Sequence, residues 1–207
     1  MKLKLFLIRG ILLIKMRVLL LFLLSYLLGS IPFGVIVSKF FNVDIQKVGS
    51  KNIGATNVFR VLGPLPGSFV FLADLLKGYL SCFIMSYYYP NNYWFIVIAA
   101  LLVLIGHSHS IFLEGKGGKG AATGLGVLFF ISYKITILVI FSFLIIVLLT
   151  RYVSVATSIM VILIPILFLW TRQPFPYLMI SLSAGFFILF KHIPNFKRLQ
   201  KGEENKI

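Results

Sequence analysis

The chain predicts an all-α, polytopic membrane protein with about seven transmembrane helices and three polar cytoplasmic loops, on three observations. Hydrophobic residues make up 59% of the chain and charged residues only 12%, too few to cover a soluble domain of 207 residues. Apolar runs of about twenty residues, the length that crosses a bilayer, recur along it. The bases, 20 Lys+Arg against 5 Asp+Glu, gather in the polar stretches beside those runs. Cytoplasmic retention of loops and attraction to anionic membrane lipids explain that placement better than nucleic acid does, so no nucleic-acid partner is expected. The single cysteine, Cys82, lies in an apolar run and excludes an internal disulfide.

The N-terminus comes first. Lys2, Lys4, Arg9 and Lys15 surround a short apolar run as in a signal peptide, but no small-residue cleavage site follows. Residues 1–15 read either as an extension or as an artefact of start assignment ahead of Met16, in front of one domain spanning 16–207. The first three spans are Val18–Phe40, Leu62–Tyr88 and Tyr93–Leu113. Tyr133-Lys134, Arg151 and Thr171–Pro174 divide the rest into segments at about 121–132, 135–150, 152–170 and 175–190, the first of them short for a span. The link Pro90-Asn91-Asn92 is uncharged and flanked by tyrosines and Trp94, as a non-cytoplasmic turn should be. The stretches 42–60, 114–120 and 191–207 carry bases and share the opposite face.

Those three stretches also hold the residues suited to chemistry. In Gly115–Thr123, glycines let the backbone approach a ligand, successive amides form a nest for an anion, and Lys116 and Lys119 add charge. The loop is either a phosphate cradle or a tight basic turn. Its spacing is not that of a Walker loop. In Gly49–Arg60, Ser50, Asn52, Thr56 and Asn57 can orient a polyol, and Arg60 can grip a phosphate through two parallel hydrogen bonds. The alternative is a polar loop with Thr56 or Asn57 capping the next helix. Asp74 and Lys77, one turn apart within an apolar span, either satisfy each other or face a polar cavity. His192, at the end of the last span, is a general base, a hydroxyl orienter or an interfacial histidine. Three histidines, no cysteine cluster and few carboxylates argue against a metal site.

With these residues the chain resembles the bacterial acyl-phosphate:glycerol-3-phosphate acyltransferases. The resemblance rests on three ordered motifs: Gly49–Arg60, then Gly106-His107 with Lys116–Thr123, then His192–Leu199 with Gly202-Glu203. Gly29–Pro32, Asp44-Ile45 and Asp74–Gly78 match as well, and the likeness runs from about residue 16 to the end. It departs where Gln46 replaces a frequent arginine, Lys51 a glycine and Ser110 a proline, and where His109 and Gly115 replace aromatics.

The resemblance implies acyl transfer from a fatty acyl phosphate to the 1-hydroxyl of glycerol 3-phosphate, without a cofactor or metal, at the bacterial cytoplasmic membrane. It implies catalytic roles for Ser50, Arg60, Lys119, His192 and Asn195. Substrate or phosphate binding would fall to Asn52, Asn57, His107, Lys116, Gly117, Gly118, Gly120 and Thr123. Glu203 would tie the tail to the basic loops. The proton acceptor is either His192 or the donor's own phosphate. A transporter of phosphorylated metabolites and an acyltransferase using acyl-CoA or acyl carrier protein remain the rival readings.

Overall fold

A computed structural model describes residues 2–207, with side chains described from Gly10 onward. All regular elements among the described residues are helical, in ten α-helices and one short 3-10 turn. α1 (Lys2–Ser30) continues without a break through residues 2–15. The first span reaches Phe40 as expected. Its helix is interrupted at Ile31-Pro32, where α1 gives way to α2 (Phe33–Phe40), because proline lacks an N–H and disfavours helical backbone in the residue before it.

The polar stretch 42–60 is not wholly loop: it contains most of α3 (Ala55–Leu62), which packs across α4 (Pro64–Tyr88). A Cβ at Gly67 would overlap the backbone of Phe59, so glycine sets how closely α3 lies on α4. Thr56 and Asn57 lie inside α3, whose cap is Gly54, and neither caps a helix. α5 (Tyr93–Ser108) starts after Asn92, whose side chain accepts from the Phe95 amide at 3.1 Å. α6 (Ala121–Ile131) has 11 residues and rises about 16 Å, the short segment anticipated from the sequence. α7 (Tyr133–Thr150), α8 (Val153–Trp170) and α9 (Phe175–Lys191) follow the apolar runs closely. α10 (Ile193–Gln200) bends 48° away from α9 at His192. Among the described residues, five spans are long and apolar enough to cross a membrane, the first of them Gly10–Phe40, and a sixth is counted if α9 and α10 form one span.

Without a hydrophobic force between helices in lipid, close approach of backbones has to hold such a bundle together. Glycines provide it at two places. Gly29 on α1 faces the Val103 carbonyl while Gly106 on α5 faces the Tyr26 carbonyl. Gly78 and Gly126 join α4 to α6 in the same reciprocal way, against Thr123 and Leu75. α5 is the hub, packed on α1, α4, α6 and α9. Helices α5 to α9 close a ring, each packed on the next and α9 returning to α5. That ring encloses the cavity described next.

Candidate active site

A cavity of about 410 Å³ opens at the end of the ring where the three polar stretches meet, and it continues inward between apolar side chains. Its polar head is lined by Ser50, Asn52, Arg60, Lys119, His192 and Asn195.

The first loop is shaped by Asn57. This side chain is 1% exposed; its Oδ1 accepts from the Ser50 amide at 2.8 Å, and its Nδ2 points at the carbonyls of Ile45, Val48 and Asn52. Its carboxamide is wholly engaged by backbone, so Asn57 builds the loop, and from there it borders the cavity. The loop in turn presents Ser50 and Asn52 to the cavity.

The glycine loop contributes less backbone to the cavity than its sequence suggests. The Gly118 amide donates to the His107 carbonyl at 3.0 Å, and a Cβ at Gly118 would strike the His107 ring. A Cβ at Gly117 would meet the His107 carbonyl. Both glycines therefore fit the loop onto the last turn of α5. Lys116 is exposed outside the cavity, and Thr123 is fully buried with its carbonyl against Gly78 on α4. Among the residues expected to hold phosphate here, Lys119 and Gly120 line the cavity while Lys116, Gly117, Gly118 and Thr123 do not. Lys119 Nζ donates to Asn195 Oδ1 at 2.5 Å. Burial and then the positive charges of Arg198 and Arg60 push the lysine pKa down to about 8.

The acid that ties the tail is Glu204, not Glu203. Gly202, at φ 71°, turns the chain back so that Glu203 points to solvent and Glu204 is 8% exposed. Glu204 Oε1 accepts from Asn195 Nδ2 at 2.6 Å and from Ser154 Oγ at 2.9 Å, and Oε2 accepts from Arg198 Nε at 2.8 Å. Burial pushes this carboxyl up, but the bonds from Asn195 and Ser154 and the Arg198 charge outweigh it and hold it below the usual carboxylate range. Arg60 meets the same tail: Nη2 donates to the Asn205 carbonyl at 2.9 Å and Nε to the Lys206 carbonyl at 3.2 Å. Arg60 also lines the cavity. Glu204 and Ser154 escaped the sequence reading. Two adjacent acids gave no reason to choose the second, and Ser154 stands outside every polar stretch.

His192 donates from Nδ1 to the Ile188 carbonyl at 2.8 Å, which leaves Nε2 as the ring's acceptor. Burial pushes its pKa down to about 4, so the ring is neutral at pH 7. Deeper in, Lys77 Nζ donates to Asp74 Oδ1 at 2.7 Å and to the Ile31 carbonyl at 3.1 Å. His107 Nδ1 lies 3.6 Å from that same Asp74 oxygen. Asp74 thus pairs with Lys77 and also reaches the cavity wall beside His107.

This fold and site define an integral membrane protein with a basic pocket opening onto an apolar channel. The family model for glycerol-3-phosphate acyltransferase matches residues 19–202. The glycerol-3-phosphate acyltransferase of Carboxydothermus hydrogenoformans is 42% identical over 89% of this chain and 94% of its own length, and that of Lacticaseibacillus casei is 37% identical over 90% of each. The crystal structure of PlsY, an integral membrane glycerol 3-phosphate acyltransferase, in its glycerol 3-phosphate form superposes with a TM-score of 0.89 at 36% identity, covering 92% of this chain and 96% of that one. The chain belongs to the glycerol-3-phosphate acyltransferase family, and it is an acyltransferase of the membrane.

Two outcomes follow from the head of the cavity. Replacing Glu204 with Ala removes two side-chain bonds and the Arg198 pair. It should lower stability by about 3 kcal/mol or more, since bonds to charged groups contribute about 1.5–3 kcal/mol each. Glu203→Ala should be nearly silent in the same thermal unfolding measurement in detergent. For Lys119 the sign is set by its lowered pKa: the cation is present below about pH 8 and lost above it. Turnover should therefore fall as pH rises through about 8. A fall only near the ordinary lysine value of 10.5 would remove Lys119 from substrate binding.

Proposed function

We propose that this protein transfers a fatty acyl group from acyl phosphate to the 1-hydroxyl of sn-glycerol 3-phosphate, giving lysophosphatidic acid and inorganic phosphate. This is the first acylation step of phospholipid biosynthesis. One observation carries the reading: a single cavity joins a cationic head to an apolar channel within the helix ring. The two substrates together present two phosphates and one hydrocarbon chain, and the cavity divides along the same line. The PlsY structures, one in a glycerol 3-phosphate form and one in a lysophosphatidic acid form, support it by likeness.

Lys119, with the Gly120 backbone beside it, holds one phosphate, and the free edge of Arg60 holds or steers the other. Ser50, Asn52 and Asn195 orient the glycerol hydroxyls. The 1-hydroxyl oxygen attacks the acyl carbonyl carbon, the carbon–oxygen bond to phosphate breaks, and the hydroxyl proton leaves with the phosphate. With its pKa near 4, His192 is a poor base. A phosphate whose second pKa is about 6 is the better proton acceptor, and His192 Nε2 orients the hydroxyl. The lipid bilayer receives the product. The membrane is the bacterial cytoplasmic one and the three polar stretches face the cytoplasm, as their bases favour.

Purified protein supplied with glycerol 3-phosphate should form lysophosphatidic acid and equimolar phosphate from palmitoyl phosphate, and neither from palmitoyl-CoA nor from palmitoyl acyl carrier protein. Comparable turnover with either thioester would reassign the donor. No product from any donor, together with gradient-dependent uptake in vesicles, would favour the transporter reading.

Orientation is tested with single cysteines at Lys51, Asn92 and Lys201 in a Cys82→Ala background. An impermeant thiol reagent should label only the Asn92 position in intact cells and all three after permeabilisation. Labelling of Lys51→Cys from outside would place the first loop on the wrong face for a cytoplasmic substrate.

A further inference from the structure

The inner part of the cavity has a floor, and the floor has a measurable depth. Along α8 the wall runs from Ser154, bonded to the polar head through Glu204, by way of Thr157, Met160 and Ile164 to Phe168. The fourteen helical steps from 154 to 168 rise about 21 Å. Phe168 and its opposite number on α9, Ile180, are each 2% exposed, although both border the cavity. Beyond them the ring is filled by the buried core that includes Ile96, Val97 and Tyr177. The outer ends of α5 and α9 are joined there by edge-to-face contacts of Tyr93 with Tyr177 and Trp94 with Phe175. A chain lying in this space therefore ends at Phe168 rather than passing through to the far side.

Resting on the acyl-phosphate reading, we propose that Phe168, backed by Ile180, is the specificity-determining residue that sets the longest acyl chain this enzyme transfers efficiently. An extended chain of single bonds advances about 1.2 Å per bond, so about 21 Å accommodates about seventeen bonds. The preferred donors are then acyl phosphates of about sixteen to eighteen carbons. Longer chains have to fold back within the cavity or withdraw their carbonyl from Lys119 and His192. Halfway along α9, Ala184 lines the same space eight residues above His192, about 12 Å from the head. A large side chain there should act as a second, higher floor.

The test is a chain-length profile of kcat/KM with glycerol 3-phosphate and saturated acyl phosphates from eight to twenty-two carbons. It is run on the full-length protein and on two variants, Phe168→Leu and Ala184→Phe. For the native protein the profile should peak near sixteen to eighteen carbons and fall at least tenfold by twenty-two. Phe168→Leu should carry the upper limit about two carbons further. Ala184→Phe should lower the limit to about ten carbons and leave the KM for glycerol 3-phosphate unchanged. Active variants whose profiles coincide with the native one would overturn the proposal while leaving acyl transfer intact. A native profile still rising at twenty-two carbons would do the same. Absence of turnover by the native protein with every chain length would instead overturn the acyl-phosphate reading. If Phe168→Leu fails to fold, the downward shift in Ala184→Phe still decides the matter.

Discussion

The Glu204 carboxylate accepts from Ser154 on α8 and from Asn195 and Arg198 on α10, while Asn195 in turn accepts from Lys119 beside α6. Through this chain of bonds one acidic side chain fixes three segments that have no sequence proximity. The arrangement answers a problem inherent in a cluster of cations built where hydrocarbon begins. Cations gathered in one place repel one another, and burial disfavours each of them. Glu204 borders the head of the cavity and offsets the Arg60, Lys119 and Arg198 charges there. Its oxygens are already engaged, two bonds on one and one on the other. Lys119 keeps a partner in Asn195 but no carboxylate of its own, and its cation remains available to a ligand.

Below that head the design changes from charge to shape. Helices in lipid gain little from burying apolar surface, so the bundle depends on backbones brought close at Gly29 and Gly106, and at Gly78 and Gly126. These contacts hold α5 and α6 in place, and the loop between them inherits its position from theirs. Gly117 and Gly118 belong to this packing, since their missing Cβ atoms let the loop rest on His107. Lys119 then stands at the rim because the residues before it are pressed against the helix end.

The sequence made the helices legible where hydropathy was punctuated by charge or proline, and so α4, α7, α8 and α9 fall close to their expected bounds, while α5 stops at Ser108 and a 3-10 turn carries its span on to Leu113. It hid α3 and α10 within polar stretches, because an eight-residue surface helix with asparagine and basic residues has the composition of a loop. Ser50, Asn52, Arg60, Lys119, His192 and Asn195 were readable as a set, and one cavity holds them. Their supports were less readable. Asn57 has the same residue type as a ligand-binding amide, and only its burial against three carbonyls shows that it serves the loop. The choice between Glu203 and Glu204 depends on the left-handed turn at Gly202, a backbone property that adjacent identical residues cannot announce.

The pairing of Asp74 with Lys77 at 2.7 Å also determines how the protein meets an electric field. An energised membrane holds a potential, and an elementary charge displaced through 100 mV of it does about 2.3 kcal/mol of work. A lone lysine ten or more residues into α4 would couple every movement of that helix to the energised state of the cell. With the carboxylate one turn away at nearly the same depth, the unit is close to neutral and the field exerts almost no net force on it. The rate of lipid synthesis is thereby insulated, at this position, from the voltage across the membrane it enlarges.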